Sequence, residues 1–338
     1  MKSISYAIKQ IASSKNIAII CHQKPDADTI CSAIALKKMI QQNIGADDKQ
    51  IDIFVDPQEI NEINNAIIKN TEIGVKNCEN YDLIICVDCA SPDRFFDPDN
   101  IFNSNQNTLN IDHHSTNTYF AKNNLVAKTC STCEFLYLIA RYNHFKLSDD
   151  ICKFIYAGII TDTNNLTQGN VTVVTHKIIL EMIERNINLD ILNNHFFKNN
   201  TKSKAYLLKQ ALDSMSFMAN DRIVFMKLSK QDFQNANATF DDTLGIVNYG
   251  IELRGVDIAI IAIKQEDNSY YVSMRAKNNI DISSIATAMG GGGHDQMAAF
   301  NYDGLLSDLK DTLFKLCKTE LANHPAQEIE ESLFDSDE

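Results

Sequence analysis

The stretch His22-Gln23-Lys24-Pro25-Asp26-Ala27-Asp28-Thr29 directly follows the apolar run Ile17–Cys21. That run is short, continuous and rich in β-branched residues, the pattern of a buried strand in a parallel sheet. From Thr29 onward apolar residues recur at helical spacing, so a helix follows. One histidine and two acids therefore sit on a loop at the carboxyl end of a strand. Open α/β sheets place their ligands at such loops.

The pattern repeats outward from this loop. Strands are expected at Ile17–Cys21, Asp52–Val55, Leu83–Asp88 and Thr108–Asp112. Helical patterns occupy Thr29–Gln42, Glu59–Ile68, Cys133–His144, Asp149–Ile160 and Thr175–Asn186. Alternation of this kind predicts right-handed crossovers and a doubly wound parallel sheet. Residues 189–215 read as a helical connector. The pattern then restarts as a smaller α/β domain with a mixed sheet. Its strands are expected in "DRIVFMKLS", "VDIAIIAIKQ" and "SYYVSMRAK", with a turn at Asp267-Asn268. Helices are expected in "DDTLGIVNYGIEL" and in "DISSIATAMG", with Asp281 as N-cap of the second. The expected division is 1–188, a connector at 189–215, a second domain at 216–325, and a disordered acidic tail at 326–338.

The chain has 338 residues, enough for two cores, and a formal net charge of −13. Six acids and no base lie in its last twelve residues, and the remainder still carries −7. An acidic body disfavours wrapping of long duplex DNA but admits a small anionic substrate where metals supply positive charge. No apolar run approaches the roughly 20 residues of a membrane span, and the N-terminus lacks the pattern of a secretory signal. A cytoplasmic protein without a membrane partner is expected. Two C-x-x-C pairs, Cys86/Cys89 and Cys130/Cys133, allow a zinc reading. Cys86 lies in an expected strand and neither pair contains a glycine, so buried, reduced thiols are the plainer reading.

The strand ends gather acids and histidines. The first supplies His22, Asp26 and Asp28; the third Asp88; the fourth Asp112-His113-His114. A helix end adds Asp162 in "GIITDT". Each residue alone is an ordinary turn former or cap. Together they would line one edge of a parallel sheet. Two carboxylates 4 Å apart repel by roughly 4 kcal/mol at an effective dielectric near 20. Such a cluster calls for divalent cations. Mixed carboxylate and imidazole donors suit Mn²⁺, Fe²⁺, Co²⁺ or Zn²⁺, and an all-oxygen set Mg²⁺. Two ions sharing one carboxylate form a clamp for phosphoryl displacement by hydroxide.

Gly290–Gly293 followed by His294, "MGGGGHDQMAAF", is a second concentration of signal. A glycine run can turn sharply and present N–H groups to an anion, and "QMAAF" would then open a helix. Arg275, at the end of an expected strand, could fork two hydrogen bonds to a phosphate. A flexible linker is the alternative, but linkers are richer in serine and polar residues.

The set "HQKPDAD", "VDCASPDR", "IDHH", "GIITDT" and "GGGGH" resembles the DHH phosphoesterase superfamily with the DHH-associated C-terminal domain, over nearly the whole chain except the tail. Length and layout look like its NrnA-type enzymes, which degrade very short RNA and remove phosphate from 3′-phosphoadenosine 5′-phosphate. The resemblance implies that His22 and Asp26 bind one Mn²⁺ and that Asp28, His113 and Asp162 bind a second, with Co²⁺ or Mg²⁺ as alternatives. Asp88 would bridge both, and His114 would contact the scissile phosphate. Arg275, Gly291, Gly292, Gly293 and His294 would hold substrate across an interdomain cleft. This sequence departs from relatives at Asn164-Asn165-Leu166-Thr167, where many have a Phe-Arg-Phe-like segment. It also departs at Asp295 and Met297, after the glycine run.

The expected function is Mn²⁺-dependent hydrolysis of short single-stranded RNA or DNA oligonucleotides and 3′-phosphorylated nucleotides, with a homodimer allowed. A phosphodiesterase for linear or cyclic dinucleotides such as pApA is the nearest alternative. A RecJ-like exonuclease and a pyrophosphatase fit less well. A catalytically idle nucleotide-binding regulator would need lost metal ligands, and none of the six is lost.

Overall fold

A computed structural model describes residues 2–45, 49–60, 62–69, 73, 80–97, 100–167, 170–265, 267–277, 280–294 and 296–324. The chain divides into two compact units, residues up to Asn199 and residues from Asn200 onward. The expected disordered tail at 326–338 and Asp295 lie outside the described residues.

The first unit contains α1 (Lys2–Ser13), β1 (Asn16–Ile20), α2 (Ala27–Asn43), β2 (Gln50–Phe54), α3 (Glu62–Ile68), β3 (Leu83–Val87), α4 (Ile101–Ser104), β4 (Thr108–Asp112), β5 (Asn123–Val126), α5 (Thr132–Tyr142), α6 (Asp149–Asp162), α7 (Val173–Glu184) and α8 (Leu189–Phe197). Among the described residues its five strands are all parallel, in the order β2-β1-β3-β4-β5. The α/β reading holds. The unpredicted fifth strand, "NNLV", is too short and polar to announce itself.

Alternation along the central strands fills both sides of the sheet. Ile17, Ile19, Leu83, Ile85 and Val87 point into a core shared with α2, α5 and α6. Ala18, Ile20, Ile84 and Cys86 point the other way, against Phe95 and Phe102. The strands therefore read as unbroken apolar runs because neither face meets water. Strand order reverses direction at β1: the chain steps out to β2, then returns to add β3 on the other side. This switch point opens a crevice at the carboxyl ends of β1 and β3.

The second unit contains α9 (Lys202–Asp213), β6 (Ser216–Met218), β7 (Ile223–Leu228), α10 (Lys230–Ala236), a 3₁₀ turn (Phe240–Thr243), α11 (Ile246–Ile251), β8 (Ile258–Lys264), β9 (Tyr270–Ala276), α12 (Ser283–Ala288), β10 (Gly292–His294), β11 (Met297–Tyr302) and α13 (Leu306–Ala322). Its mixed sheet runs β10-β11-β9-β8-β7-β6, and among the described residues only β7 and β8 pair in parallel. Segment 189–215, read as a connector, holds α8 in the first unit and α9 in the second.

Three local expectations need correction. "QMAAF" does not open a helix: Met297–Tyr302 is a strand paired antiparallel with β9. The single helix expected over "DDTLGIVNYGIEL" is broken into a 3₁₀ turn and α11, because Gly245 takes φ +81° between them. Asp281 does not cap α12, whose N-cap is Ile282; its carboxylate instead accepts from the Ser283 N–H in a local turn. Among the described residues no helix is long and apolar enough to cross a membrane.

Candidate metal centre

The crevice at the switch point collects the acids and histidines. His22 leaves β1 and its Nδ1 bonds the Gln23 carbonyl at 2.6 Å, turning Nε2 toward Asp26 and Asp88. Asp26 does two things at once. Its Oδ1 caps α2 by accepting from Thr29 N at 3.0 Å, while Oδ2 lies 3.8 Å from His22 Nε2. The ordinary capping role and a site role therefore coexist in one residue. Asp28, on the first turn of α2, is fully buried and accepts from the Thr132 and Cys133 N–H groups at 2.7 and 3.1 Å. These are the first donors of α5, so the positive end of that helix faces a carboxylate.

Asp88 ends β3 in a left-handed conformation, φ +56°, which a non-glycine residue seldom adopts. Each of its two oxygens has its own neighbours. Oδ2 accepts from Thr29 Oγ1 at 2.5 Å and faces His22 Nε2 at 3.7 Å. Oδ1 accepts from Thr132 Oγ1 at 2.9 Å and faces His113 Nε2 at 3.5 Å. His113 Nδ1 lies 3.2 Å from the Thr129 carbonyl, and Nε2 is also 3.5 Å from Asp162 Oδ2. Donor atoms of His22, Asp26 and Asp88 thus form one compact group, those of Asp28, His113 and Asp162 a second, and those of Asp88, His113 and His114 a third.

His114 stands beside the centre. Its Nδ1 donates to buried Asp112 at 2.7 Å, and Asn117 donates to the other Asp112 oxygen at 2.6 Å. Asp112 is thereby held below the usual carboxylate range despite its desolvation, and His114 is raised. Burial opposes charge on His22, but Asp26 and Asp88 outweigh it and lift the imidazole to about 9. Asp88, Asp162 and Asp28 do the same for His113. Desolvation, then Asp88, raises Asp28 well above its ordinary value. Asp162 is pushed up to about 7 by desolvation and the neighbouring acids, against the pull of His113.

This donor set fits divalent cations. Four carboxylates and three imidazoles converge, and two of the carboxylates resist ionisation in the absence of added positive charge. Oxygen and imidazole donors suit first-row metals. The cysteine alternative does not: all eight described cysteines are free and buried, and no described metal-ligating group includes one.

The six expected ligands and His114 are brought together. Sequence reasoning missed the groups that aim them. Thr29 reads as the start of a helix, Thr132 stands just before the helix expected from Cys133, and Gly158 falls unremarked in a helix interior. A Cβ on Gly158 would stand 2.4 Å from Asp28 Oδ1 and 2.3 Å from Cys133 Sγ. Asp162 lies one turn later on α6, and the chain then leaves through three consecutive positive-φ residues, Asn164, Asn165 and Leu166.

In the second unit Arg275 lies on β9 and bonds Ser273 Oγ and the Met274 carbonyl. The glycine run is no linker: Gly290 turns out of α12 at φ +81°, and Gly292 and Gly293 open the edge strand β10, paired with β11. A Cβ at Gly291 or Gly293 would stand 2.2–2.3 Å from a β11 carbonyl oxygen, so the close strand approach requires glycine.

Comparison with known proteins agrees with this architecture. The DHH family N-terminal domain matches residues 16–159, and the DHHA1 domain matches residues 220–322. The chain is 27% identical over 305 residues to a probable bifunctional oligoribonuclease and PAP phosphatase NrnA of Streptococcus mutans, covering 89% of this chain and 94% of that one. It is 24% identical to the cyclic-di-AMP phosphodiesterase GdpP of Bacillus subtilis, covering 89% of this chain and 47% of GdpP. The crystal structure of an exopolyphosphatase-related protein from Bacteroides fragilis shares the fold, with a TM-score of 0.82 at 19% identity over 95% of this chain and 97% of the other. The two matched domains, in this order along the chain, make the chain a member of the DHH family of phosphoesterases, built as a DHH domain followed by a DHHA1 domain.

Proposed function

We propose that this phosphoesterase uses two Mn²⁺ ions to hydrolyse short RNA oligonucleotides and 3′-phosphoadenosine 5′-phosphate. The observation that carries the reading is the division of Asp88 between two donor groups, one oxygen facing His22 and the other His113. In this reading His22, Asp26 and Asp88 hold one ion, and Asp28, His113, Asp162 and Asp88 hold the other. Such a pair supplies positive charge to a phosphoryl group and acidifies an attacking water. The chain's own residues set the geometry. Thr29 and Thr132 fix the plane of the Asp88 carboxylate. Asp112 keeps His114 oriented and favours its protonated form, which offers a donor and a positive charge to a phosphate oxygen. Arg275, Gly291, Gly292, Gly293 and His294 recognise the substrate's phosphates.

The likeness to GdpP favours a second reading, in which a linear or cyclic dinucleotide is the substrate. A panel of five-nucleotide RNA, 3′-phosphoadenosine 5′-phosphate, pApA and cyclic di-AMP, each with Mn²⁺, Mg²⁺ or Co²⁺, separates the two. The first reading expects Mn²⁺-dependent turnover of RNA and 3′-phosphoadenosine 5′-phosphate, abolished by Asp88→Ala. Full activity of Asp88→Ala, or inertness toward all four substrates, would overturn the reading.

A further inference from the structure

The second unit carries an aromatic feature that its core does not explain. Along β9, Val272, Met274 and Ala276 point into the core formed with α12 and α13. The alternate residues Tyr271, Ser273 and Arg275 therefore share the opposite face. Tyr271 rests on the apolar cluster beneath β7, β8 and α11. Its ring meets Phe240 edge to face, with centroids 5.1 Å apart at 84°. Phe240 belongs to no core cluster of described residues and is 39% exposed. On the neighbouring strand, Met297 opposite Arg275 is 48% exposed and Asn301 opposite Tyr271 is exposed. On this side β9 is half-buried, and the exposed Met297 and Asn301 of β11 leave its edge accessible.

Its polar group is a cation that needs an anion. Among the described residues no carboxylate pairs with Arg275; its side-chain bonds run only to Ser273 and the Met274 carbonyl. Tyr271 stands four residues back along the same strand, about 13 Å at the usual strand rise. A phosphate at Arg275 would leave the next nucleotide's base within reach of the aromatic pair. Aromatic rings interleaved with cations are how proteins hold single-stranded nucleic acid without reading its sequence.

We propose that Tyr271 and Phe240 form a base-stacking platform for the nucleotide next to the phosphate held by Arg275. The assignment rests on the nucleotide-hydrolase reading above and adds residues that set preference for nucleotides over other phosphoesters.

The test compares kcat/KM for pApA with that for the same molecule lacking its second base, in Mn²⁺. Wild-type protein should prefer the intact dinucleotide by about tenfold, chiefly through KM. Tyr271→Leu and Phe240→Leu should each bring that ratio close to one, and Tyr271→Phe should restore it. Circular dichroism melting reports whether the leucine variants are folded, and exposed Phe240 gives a readout even where Tyr271→Leu is not. Leucine variants that keep the full preference, or a wild type with none, overturn the platform while leaving the hydrolase reading intact. A wild type that cleaves neither molecule nor any substrate of the panel overturns the hydrolase reading itself.

Discussion

Gly158 and Asp28 touch across two helices so closely that no side chain fits between them. A methyl group on Gly158 would stand 2.4 Å from Asp28 Oδ1. Gly158→Ala should gain the helix propensity of alanine, about 1 kcal/mol, yet lose more through overpacking, about 1–3 kcal/mol. Relief requires Asp28 or Cys133 to move. Mn²⁺ affinity by calorimetry should fall by about tenfold or more. Wild-type affinity in a folded Gly158→Ala protein would show that Asp28 does not need this contact.

Thr29 and Thr132 each donate a hydroxyl to a different oxygen of Asp88. Valine at either position keeps the shape and removes the donor. Each substitution should weaken Mn²⁺ binding about 10-fold to 100-fold, as loss of a ligand's supporting hydrogen bond does elsewhere. Serine should restore most of it. Equal affinities for the valine and serine proteins would mean that packing, and not the hydroxyl, matters.

Asp112 is buried and bonded to His114 Nδ1. Asp112→Asn removes the charge that raises His114. Turnover should drop about 10-fold to 100-fold while Mn²⁺ binding is largely kept. The alkaline limb of the rate profile should move to lower pH, because His114 then loses its proton earlier. An unmoved limb would remove His114 from that titration.

The metal-free protein should lose stability as pH rises. His22 and His113 are raised from 6.5 to about 9, so their stabilising contribution is complete below about 6.5 and is lost as pH rises through 9. Asp162, raised from 3.8 to about 7, prefers its proton in the folded state and adds a loss between those values. All three act in one direction. Thermal midpoints in chelator should therefore fall from pH 5 to pH 9. Saturating Mn²⁺ should reverse the trend, since bound ligands must be deprotonated. A midpoint that climbs with pH in chelator would contradict these assignments.

The parallel sheet and its ligand loops were legible because each loop follows an apolar run buried on both faces. Position at a strand end then told which acids share an edge. The supporting groups were not legible. Thr29 and Thr132 sit where any helix start carries a hydroxyl, and only the packing of α2 and α5 turns both toward Asp88. Gly158 has the sequence signature of a tolerated mid-helix glycine; its reason lies 130 residues away, in Asp28. "QMAAF" consists of residues comfortable in a helix, and the strand arises from pairing with β9. Its inward residues, Ala298 and Phe300, are too few to set a period of two.

The two sides of the nest differ in access to solvent. The Asp26 side chain is 59% exposed, whereas Asp28 is 1% exposed and those of His113 and Asp162 are 12% and 28%. Ion exchange should be asymmetric: a chelator strips the His22–Asp26 position quickly and the Asp28–His113–Asp162 position slowly. Stopped-flow release of Mn²⁺ should show two phases, and Asp26→Asn should remove the fast one. A protein caught between phases would carry a single ion, so preparations of ordinary purity should differ in activity according to how long they met chelator.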